Sequence, residues 1–333
     1  MDRLTANWQR KTFTSHLLLP LSWLYCLIVL VRKTLYRLGV LSTVKLPVPV
    51  IVVGNLTVGG TGKTPLVIWL SRWLREQGFR PGVVSRGYGG RARRWPQPVR
   101  ADADPDIVGD EPVLLARHCG CPVMVDPRRP RAAQALLDNE HCDVIVSDDG
   151  LQHYALARDI EIAVIDGERR FGNGRCLPAG PLREPLSRLR SVDLCVVNGS
   201  SRGQELDMIM SPVGFINLKH KHRCEPAGFF RGGTVHAVAG IGHPQRFFAG
   251  LGELGLEVIA HPFPDHHRYR PQDIGFHDDL PVIMTEKDAV KCEAMIDFSA
   301  SRGDRWWYLA IAAIPNAELG QRLSRLLEDR IRG

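Results

Sequence analysis

The chain has 333 residues, of which 44% are hydrophobic and 24% charged, a composition that excludes general disorder and allows one large or two ordinary domains. The formal net charge of +7 favours an anionic partner such as a nucleotide or a phospholipid surface, and the lack of a basic motif interleaved with aromatic residues makes nucleic acid the least favoured choice. The eight cysteines form no Cys-x-x-Cys pair, which argues against a zinc site and is typical of a reducing cytoplasm.

An uncharged apolar segment, LLLPLSWLYCLIVLV at residues 17–31, lies near the N-terminus. As a helix it would span about 22 Å, less than the ~30 Å hydrocarbon core of a bilayer. No small-residue cleavage site follows it, which argues against a secretory signal peptide, and a buried core helix is the main alternative. The pattern favours a membrane-anchoring helical segment over residues 1–45 whose basic ends meet anionic headgroups of the cytoplasmic leaflet. Its flanking basic residues are Arg10, Lys11, Arg32, Lys33 and Arg37.

Strands that alternate with helices predict one α/β domain over residues 46–211. An apolar β-branched run at 48–53 predicts a buried parallel strand, and residues 64–77 have helical spacing with Gly78 as the stop. The alternation predicts a doubly wound, mostly parallel sheet, and the glycine-rich loop at 54–62 between the first strand and its helix makes the expected fold P-loop NTPase-like. Further strands are predicted at 81–85, 122–125, 144–146, 161–165 and 194–197, and further helices at 112–119 and 131–137.

The alternating pattern restarts at about residue 212 and predicts a second, smaller α/β lobe over residues 212–333. Strands are predicted at 235–239, 258–259 and 282–284, and helices at 244–254 and 319–331. The chain contains no internal repeat or low-complexity tract, so neither a solenoid nor a long linker is expected.

A glycine-rich loop lies between the first predicted strand and the helix that follows it. Glycines let consecutive backbone N–H groups converge on phosphate oxygens, and the helix N-terminus adds partial positive charge. In such a loop Lys63 reaches the β- and γ-phosphates, and Thr64 offers its hydroxyl to Mg²⁺. The usual pattern has glycine where this chain has Thr57, and the Gly59-Gly60 pair compensates. The predicted nucleotide-binding residues are Thr57, Val58, Gly59, Gly60, Thr61, Gly62, Lys63 and Thr64.

Two adjacent carboxylates, Asp148 and Asp149, come at the carboxyl end of the strand predicted at 144–146. Ligands bind at this end of the strands in open α/β sheets. Neighbouring carboxylates repel each other unless a cation lies between them. The pair therefore predicts ligands for Mg²⁺, with a solvated Asp-Asp-Gly turn as the alternative.

Several short blocks, in order along nearly the whole chain, are more specific together than the glycine-rich loop alone. They are VGNLTVGGTGKTP (53–65), SRGYGG (85–90), VGDEP (108–112), SDDGLQH (147–153), LPAGPLRE (177–184), AGIG (239–242), FPDHH (263–267) and TEKD (285–288). These blocks resemble the tetraacyldisaccharide 4′-kinase family, the lipid A 4′-kinases of Gram-negative bacteria. The resemblance implies ATP- and Mg²⁺-dependent phosphorylation of the 4′-hydroxyl of a lipid A disaccharide 1-phosphate. It implies an enzyme at the cytoplasmic face of the inner membrane, with a glycolipid substrate and no obligate protein partner.

The resemblance also assigns roles that spacing does not. Asp110 would be the catalytic carboxylate near the sugar hydroxyl and His266 its partner, a pair able to accept the hydroxyl proton. Glu184 would assist at Mg²⁺, and Arg86 and Tyr88 would face the lipid substrate. Without the resemblance, Asp110 would be a helix-capping or first-turn carboxylate and His266 a surface loop histidine.

Two alternative functions remain open. The paired glycines also resemble a class of GTP-driven regulators and metal-insertion factors, but the order of Thr285-Glu286-Lys287-Asp288 does not match a guanine-reading motif. A membrane adaptor with a degenerate nucleotide fold would not need Lys63, Thr64 and Asp149.

Two clusters of basic residues could meet phosphate groups or form solvated faces. Their members are Arg91, Arg93 and Arg94 in one and Arg128, Arg129 and Arg131 in the other.

Overall fold

A computed structural model describes residues 8–296 and 303–332 of the chain. Within these residues, thirteen strands form a single, mostly parallel sheet with helices packed on it. The mostly parallel α/β architecture predicted from the sequence is therefore confirmed.

Two helices precede the sheet, α1 (Phe13–Leu17) and α2 (Leu19–Arg37). Among the described helices, α2 is the one that is long and apolar enough to cross a membrane, judged by length and composition alone, and little of it is buried. Two hydrogen bonds fix α2 to one loop: Ser22 Oγ donates to the Cys176 carbonyl at 2.9 Å, and Tyr25 OH donates to the Arg183 carbonyl at 2.9 Å. The helix thus rests on the loop of the LPAGPLRE block and leaves most of its apolar surface uncovered. Its exposed large apolar residues are Leu21, Trp23, Leu24, Leu27, Ile28, Leu30 and Val31.

The first half of the sheet contains seven strands in the spatial order β7-β6-β1-β5-β2-β4-β3. All neighbours are parallel except the edge strand β3, which runs antiparallel to β4. The central strands are buried on both faces, as their apolar, β-branched sequences predict. The strands are β1 (Val50–Gly54), β2 (Pro81–Ser85), β3 (Gln97–Val99), β4 (Val123–Val125), β5 (Val144–Asp148), β6 (Ile160–Asp166) and β7 (Leu194–Asn198).

Four helices belong to this half, and three of them pack on the sheet while the short α4 packs on α5. They are α3 (Lys63–Glu76), α4 (Pro105–Val108), α5 (Asp110–His118) and α6 (Arg129–Glu140). The helix α3 follows β1 directly, and its residues Leu66, Leu70 and Leu74 are fully buried against the sheet. This packing fixes the N-terminus of α3 at the carboxyl edge of the central strands.

The second half of the sheet contains strands β8 (Leu206–Asn217), β9 (Cys224–Glu225), β10 (Thr234–Ala239), β11 (Glu257–Pro262), β12 (Val282–Thr285) and β13 (Trp306–Pro315). The order β11-β10-β12-β13-β8 joins this half to β7. The long strand β8 pairs in parallel with β7 and antiparallel with β13, so it belongs to both halves. Residues 211 and 212, between which the sequence pattern places a domain boundary, both lie inside β8. The division into two domains stays a prediction.

The helices of this half are α7 (Pro244–Glu253), α8 (Pro271–Ile274), α9 (Glu286–Cys292) and α10 (Ala317–Arg332). The C-terminal helix α10 crosses back to the first half, where Leu319, Leu323 and Leu327 are buried in the same apolar core as α3. This shared core, together with β8, joins the two halves physically.

Candidate active site

The glycine-rich loop connects β1 to α3 at the carboxyl edge of the sheet. Gly62 is the N-cap of α3 with φ 94°, and Gly59 has φ 100°, both in the left-handed region that favours glycine. A Cβ at Gly62 would lie 2.6 Å from the Met210 Cε, so that side chain would have to move, and the positive φ would strain any other residue at this position. This backbone conformation and the free N-terminus of α3 suit the anion cradle that the sequence predicts, and the binding of phosphate there stays a prediction.

The departure from the usual loop pattern at Thr57 has a structural reason. Thr57 forms an antiparallel β-bridge with Leu182, and the Val58 N–H donates to the Pro181 carbonyl at 2.9 Å. A β-bridge requires extended backbone, which any residue adopts, so glycine is not needed at this position. The LPAGPLRE block thus supports the start of the loop from outside.

Asn198 at the end of β7 and Arg169, three residues after β6, brace the rest of the loop. Asn198 Nδ2 donates to the Thr61 carbonyl at 3.3 Å, and Arg169 Nη2 donates to the Gly60 carbonyl at 2.5 Å. The buried carboxylate of Asp166 in turn holds Arg169 at 3.0 Å. Residue spacing does not predict these three residues, because single polar residues at or after the end of a strand carry no recognisable pattern.

Asp149 lies in the left-handed region, φ 47°, directly after β5. Its carboxylate is 3.5 Å from Lys63 Nζ and 2.9 Å from Arg183 Nη1. Burial acts to raise the pKa of Asp149, but the Lys63 and Arg183 cations outweigh it and hold that pKa well below its ordinary value. The carboxylate is therefore ionised, and it couples the loop lysine to the LPAGPLRE block.

Asp148 is more deeply buried than Asp149, and only one of its two carboxylate oxygens has a hydrogen-bond partner. Its Oδ2 accepts a hydrogen bond from Ser85 Oγ at 3.2 Å, whereas its Oδ1 is buried without a hydrogen-bond partner. Burial, with repulsion from Glu111 and Asp149, raises the pKa of Asp148 to about 7. A buried carboxylate oxygen without a partner is unfavourable unless a cation or donor arrives, so this oxygen fits a metal ligand.

Arg129, which belongs to one of the basic clusters, contacts the backbone of the acidic pair. Arg129 is only 4% exposed, so the alternative that this residue lies on a solvated face is wrong. Its guanidinium donates to the carbonyls of Asp148 and Asp149 at 2.6 and 2.9 Å. Arg129 therefore fixes the backbone of the pair from behind and adds positive charge to the site.

Asp110 and His266, 156 residues apart in sequence, are in contact. His266 Nδ1 lies 3.2 Å from Asp110 Oδ2, and since an ionised carboxylate only accepts hydrogen bonds, this nitrogen is the donor of the pair. Burial acts to raise the pKa of Asp110, but the hydrogen bond from His266 and the charge of Lys287 lower it to about 2. The same hydrogen bond raises the pKa of His266. Side-chain exposure is 6% for Asp110 and 27% for His266, so the histidine is the accessible member.

The remaining predicted residues lie around the same edge of the sheet. Arg86 and Tyr88 are exposed, and the Tyr88 ring lies 5.0 Å from the His266 ring. Glu184 is buried, and both of its carboxylate oxygens accept hydrogen bonds, one from Gln152 Nε2 at 3.0 Å and one from the Tyr154 hydroxyl. Glu184 is therefore held rigidly within the site.

A single cavity of about 1800 Å³ brings these groups together. It extends from the glycine-rich loop and the acidic pair to α2 on one side and to α7 on the other. Asp110 and His266 lie just behind its wall, and their contacts Glu111, Asp265 and Lys287 line it. The predicted residues that line it are Val58 through Thr64, Arg86, Tyr88, Asp148, Asp149 and Glu184.

The comparisons with known proteins agree with this geometry. A family model described as tetraacyldisaccharide-1-P 4′-kinase matches residues 14–328. The chain belongs to this family. The tetraacyldisaccharide 4′-kinase of Nitrosococcus oceani is 52% identical, over 97% of this chain and 93% of that protein. The same enzyme of Alkalilimnicola ehrlichii is 52% identical, over 98% and 97%.

A solved structure of the 4′-kinase family also matches. LpxK from Aquifex aeolicus, described as an "apo" form in complex with ATP, superposes with a TM-score of 0.77 at 28% identity, over 95% of this chain and 100% of that one. The family predicted from the sequence blocks is confirmed. The cavity described above is therefore the candidate active site of a 4′-kinase family member.

Proposed function

We propose that this protein transfers the γ-phosphate of ATP to the 4′-hydroxyl of a tetraacyldisaccharide 1-phosphate, in the formation of lipid A. The observation that carries the proposal is that Lys63 and the acidic pair line one cavity and that the Asp110–His266 pair contacts other residues of its wall. An anion cradle, a metal-binding carboxylate and a proton acceptor are the parts that phosphoryl transfer requires. Family membership supports the choice of donor and acceptor.

The residues of the glycine-rich loop fit the phosphates of ATP. The loop N–H groups would bind the phosphate oxygens, and Lys63 would exchange part of its contact with Asp149 for the β- and γ-phosphates. In the described part of the chain, no three His, Cys, Asp or Glu side chains are grouped to hold a metal by themselves. Mg²⁺ typically uses one or two carboxylates together with substrate phosphates, so this finding is compatible with a nucleotide-dependent site.

The residues proposed to hold Mg²⁺ are Thr64, Asp148 and Asp149, with Glu184 assisting. The buried Oδ1 of Asp148 without a hydrogen-bond partner is the atom that best fits a metal ligand. When bound, Mg²⁺ would neutralise charge on the transferring phosphoryl group. Arg183 and Arg129 would keep the two aspartates oriented through their contacts with the Asp149 carboxylate and the backbone carbonyls.

The Asp110–His266 pair is the proposed proton acceptor. Since His266 Nδ1 is hydrogen-bonded to Asp110, Nε2 is the nitrogen able to accept the 4′-hydroxyl proton. As the bond between the 4′-oxygen and the γ-phosphorus forms, the bond from that phosphorus to the bridging oxygen breaks and ADP leaves. Asp110 then stabilises the imidazolium, and its deeper burial favours this supporting role over direct contact with the sugar.

The proposed contact with the membrane is made by α2. Its exposed apolar surface and its basic flanks favour insertion in the cytoplasmic leaflet of the bacterial inner membrane. Tyr25, Val29 and Arg32 of α2 line the cavity, so a lipid bound beside this helix could place its sugar in the site. Arg86 and Tyr88 are the proposed contacts to the lipid substrate, because both are exposed at the cavity.

The test is product analysis with purified protein in detergent. ATP, Mg²⁺ and tetraacyldisaccharide 1-phosphate are expected to give a lipid with a second phosphate monoester at the 4′-position, seen by ³¹P NMR and mass spectrometry. GTP in place of ATP is expected to give much less product. Formation of a 4′-phosphate only with GTP, or hydrolysis of nucleotide without any phosphorylated lipid, would contradict the proposal.

A further inference from the structure

A lysine outside the roles considered above lies against the proposed base. Lys287 is in the first turn of α9, within the TEKD block, and its side chain is only 15% exposed. Its Nζ is 3.0 Å from Glu111 Oε1 and 3.3 Å from Asp265 Oδ1. The same atom is 3.5 Å from His266 Nε2 and 4.0 Å from Asp110 Oδ2.

The position of Lys287 determines which form of the His266 ring fits the site. An ammonium group has donors only, so beside Nε2 it is compatible with a lone pair on that nitrogen and not with an N–H. The Nδ1–H is directed to Asp110 on the opposite side of the ring. Asp265 Oδ1 also faces Nε2 but is farther away, at 3.9 Å against 3.5 Å for Lys287, so the contacts on both sides favour the neutral tautomer with its proton on Nδ1, which is the form that can act as a base.

We propose that Lys287 is a positioning residue for the phosphoryl transfer: it keeps His266 neutral and orients its Nε2 toward the position of the incoming hydroxyl. This inference rests on the proposed function of His266 as the proton acceptor. The incoming sugar hydroxyl would displace the long contact between Lys287 and Nε2, while the shorter contacts to Glu111 and Asp265 keep the lysine in place.

The charges around His266 explain why a cation is needed there. Three carboxylates face the pair: Asp110 and Glu111 from the start of α5, and Asp265 from the same loop as His266. By themselves they would favour the imidazolium, which cannot accept a proton. Lys291 of α9 is 4.0 Å from Asp110 but is engaged with Asp288 at 2.8 Å, and Tyr88 contributes an aromatic ring. Lys287 is the cation closest to the imidazole in this group.

The directions of the pKa shifts agree with the geometry. The hydrogen bond to Asp110 raises the pKa of His266, and the charge of Lys287 acts in the opposite direction. Burial acts to lower the pKa of Lys287, but the carboxylates of Glu111, Asp110 and Asp265 outweigh it and keep that pKa above its ordinary value. Lys287 therefore stays charged over the pH range in which His266 titrates.

The first test is an NMR titration of His266 in the full-length protein in detergent micelles. The His266 signal is assigned from its absence in His266→Gln. In Lys287→Met we expect the pKa of His266 to rise by about one pH unit, since a neighbouring cation is lost. In Lys287→Arg, which keeps the charge, it should stay within a few tenths of the wild-type value. An unchanged or lower pKa in Lys287→Met, or an equal rise in Lys287→Arg, would overturn the proposal.

The second test is the pH dependence of kcat/KM for the lipid kinase reaction. In Lys287→Met the acidic limb is expected to move to higher pH by the same amount as the NMR titration. At pH values below the midpoint of this limb, kcat/KM of the variant should be about tenfold lower than that of the wild type. On the alkaline plateau the loss should be smaller. A uniform loss at every pH, with no shift of the limb, would indicate a structural role only and contradict the inference. Lys287→Gln, which retains a hydrogen-bond donor, replaces Lys287→Met if the latter does not fold.

A matched control and the two independent readouts separate the possible failures. Lys221→Met removes a lysine that pairs with Glu293 at 2.8 Å on the surface, and it should change neither readout. If the titration of His266 shifts as expected but wild-type protein phosphorylates no lipid, the proposed function fails while the contact between Lys287 and His266 stands. If wild-type protein is an active kinase and the titration does not shift, the inference about Lys287 fails by itself.

Discussion

Asp149 and His266 share a backbone conformation that non-glycine residues rarely adopt, with φ 47° and 58°. Such conformations are unfavourable unless the surrounding structure holds them, and they often occur at functional sites. Asp149 is held by Lys63 and Arg183, and His266 by Asp110. At the scale of single residues, both strained positions are therefore fixed by charged partners from distant parts of the chain.

The Asp110–His266 contact predicts a pH dependence with a definite sign. The carboxylate raises the pKa of His266 above its ordinary value, and His266 must be neutral to act as a base, so kcat/KM should fall as pH drops through that raised pKa. Asp110→Asn removes the charge. We expect the acidic limb to move to lower pH and the plateau to drop about 10²- to 10⁴-fold, as measured by steady-state kinetics across pH.

The neighbouring histidine offers a matched control for this prediction. His267 contacts Asp273 at 3.2 Å, the same distance as in the His266–Asp110 pair, but lies outside the proposed chemistry. Asp273→Asn should leave both limb and plateau near the wild-type values. A limb that does not move in Asp110→Asn would contradict the assignment of His266 as the titrating base.

The site residues differ in how far the sequence could predict them. The glycine-rich loop and the acidic pair are local patterns that follow apolar strands, so residue spacing is enough to find Lys63 and Asp148. Lys287 lies in the TEKD block and Arg129 in a basic cluster, but neither pattern distinguishes a site residue from one on a solvated face. The pairing of Asp110 with His266 came from family resemblance, because only the folded chain brings the two together.

At the scale of elements, α2 differs from every other long helix described here in how little of it is buried. A helix with an uncovered apolar surface and basic flanks favours the boundary between headgroups and acyl chains. We predict that Leu24→Glu with Ile28→Glu, at positions 53% and 59% exposed, strongly reduces binding to anionic phospholipid vesicles. Co-sedimentation measures the bound fraction, and the melting temperature should change little because neither side chain is buried.

The control for the helix variant uses equally exposed residues elsewhere. Ile209 in β8 and Ile314 in β13 are 54% and 51% exposed and face each other across the two strands. Ile209→Glu with Ile314→Glu should leave vesicle binding unchanged. If both double variants bind as wild type does, α2 is not the membrane contact.

Elements were predicted well where their sequence pattern is local. The buried parallel strands of the first half are short β-branched runs, and α3 has clear helical spacing, so their positions follow from the sequence. The strands β8 and β13 were missed. Their mutual pairing is antiparallel with a register shift at Ala310/Ile311, and β8 contains Pro212, so neither strand shows the alternation that marks a half-buried strand.

At the scale of the whole molecule, the two halves share both a strand and a core. The strand β8 pairs with both halves of the sheet, and Leu323 of α10 is fully buried in the core beneath α3. Elements that share a core unfold together, so we predict one calorimetric transition for the purified protein in detergent. Leu323→Ala should lower the temperature of this whole transition, with a loss of about 2–5 kcal/mol in the free energy of unfolding. Two separate transitions would support independent domains divided near residue 211.

Transfer of radiolabelled γ-phosphate from ATP to tetraacyldisaccharide 1-phosphate tests the proposed kinase activity directly. Wild-type protein should give labelled lipid, and Lys63→Ala should give at least a hundredfold less, because the loop loses its phosphate-binding cation. Lys219→Ala, which removes a surface lysine paired with Asp304 at 3.0 Å, should retain full transfer. Labelled lipid that depends on Lys63 is the predicted result. No labelled lipid from folded wild-type protein that binds ATP, or equal transfer by Lys63→Ala, would contradict the account.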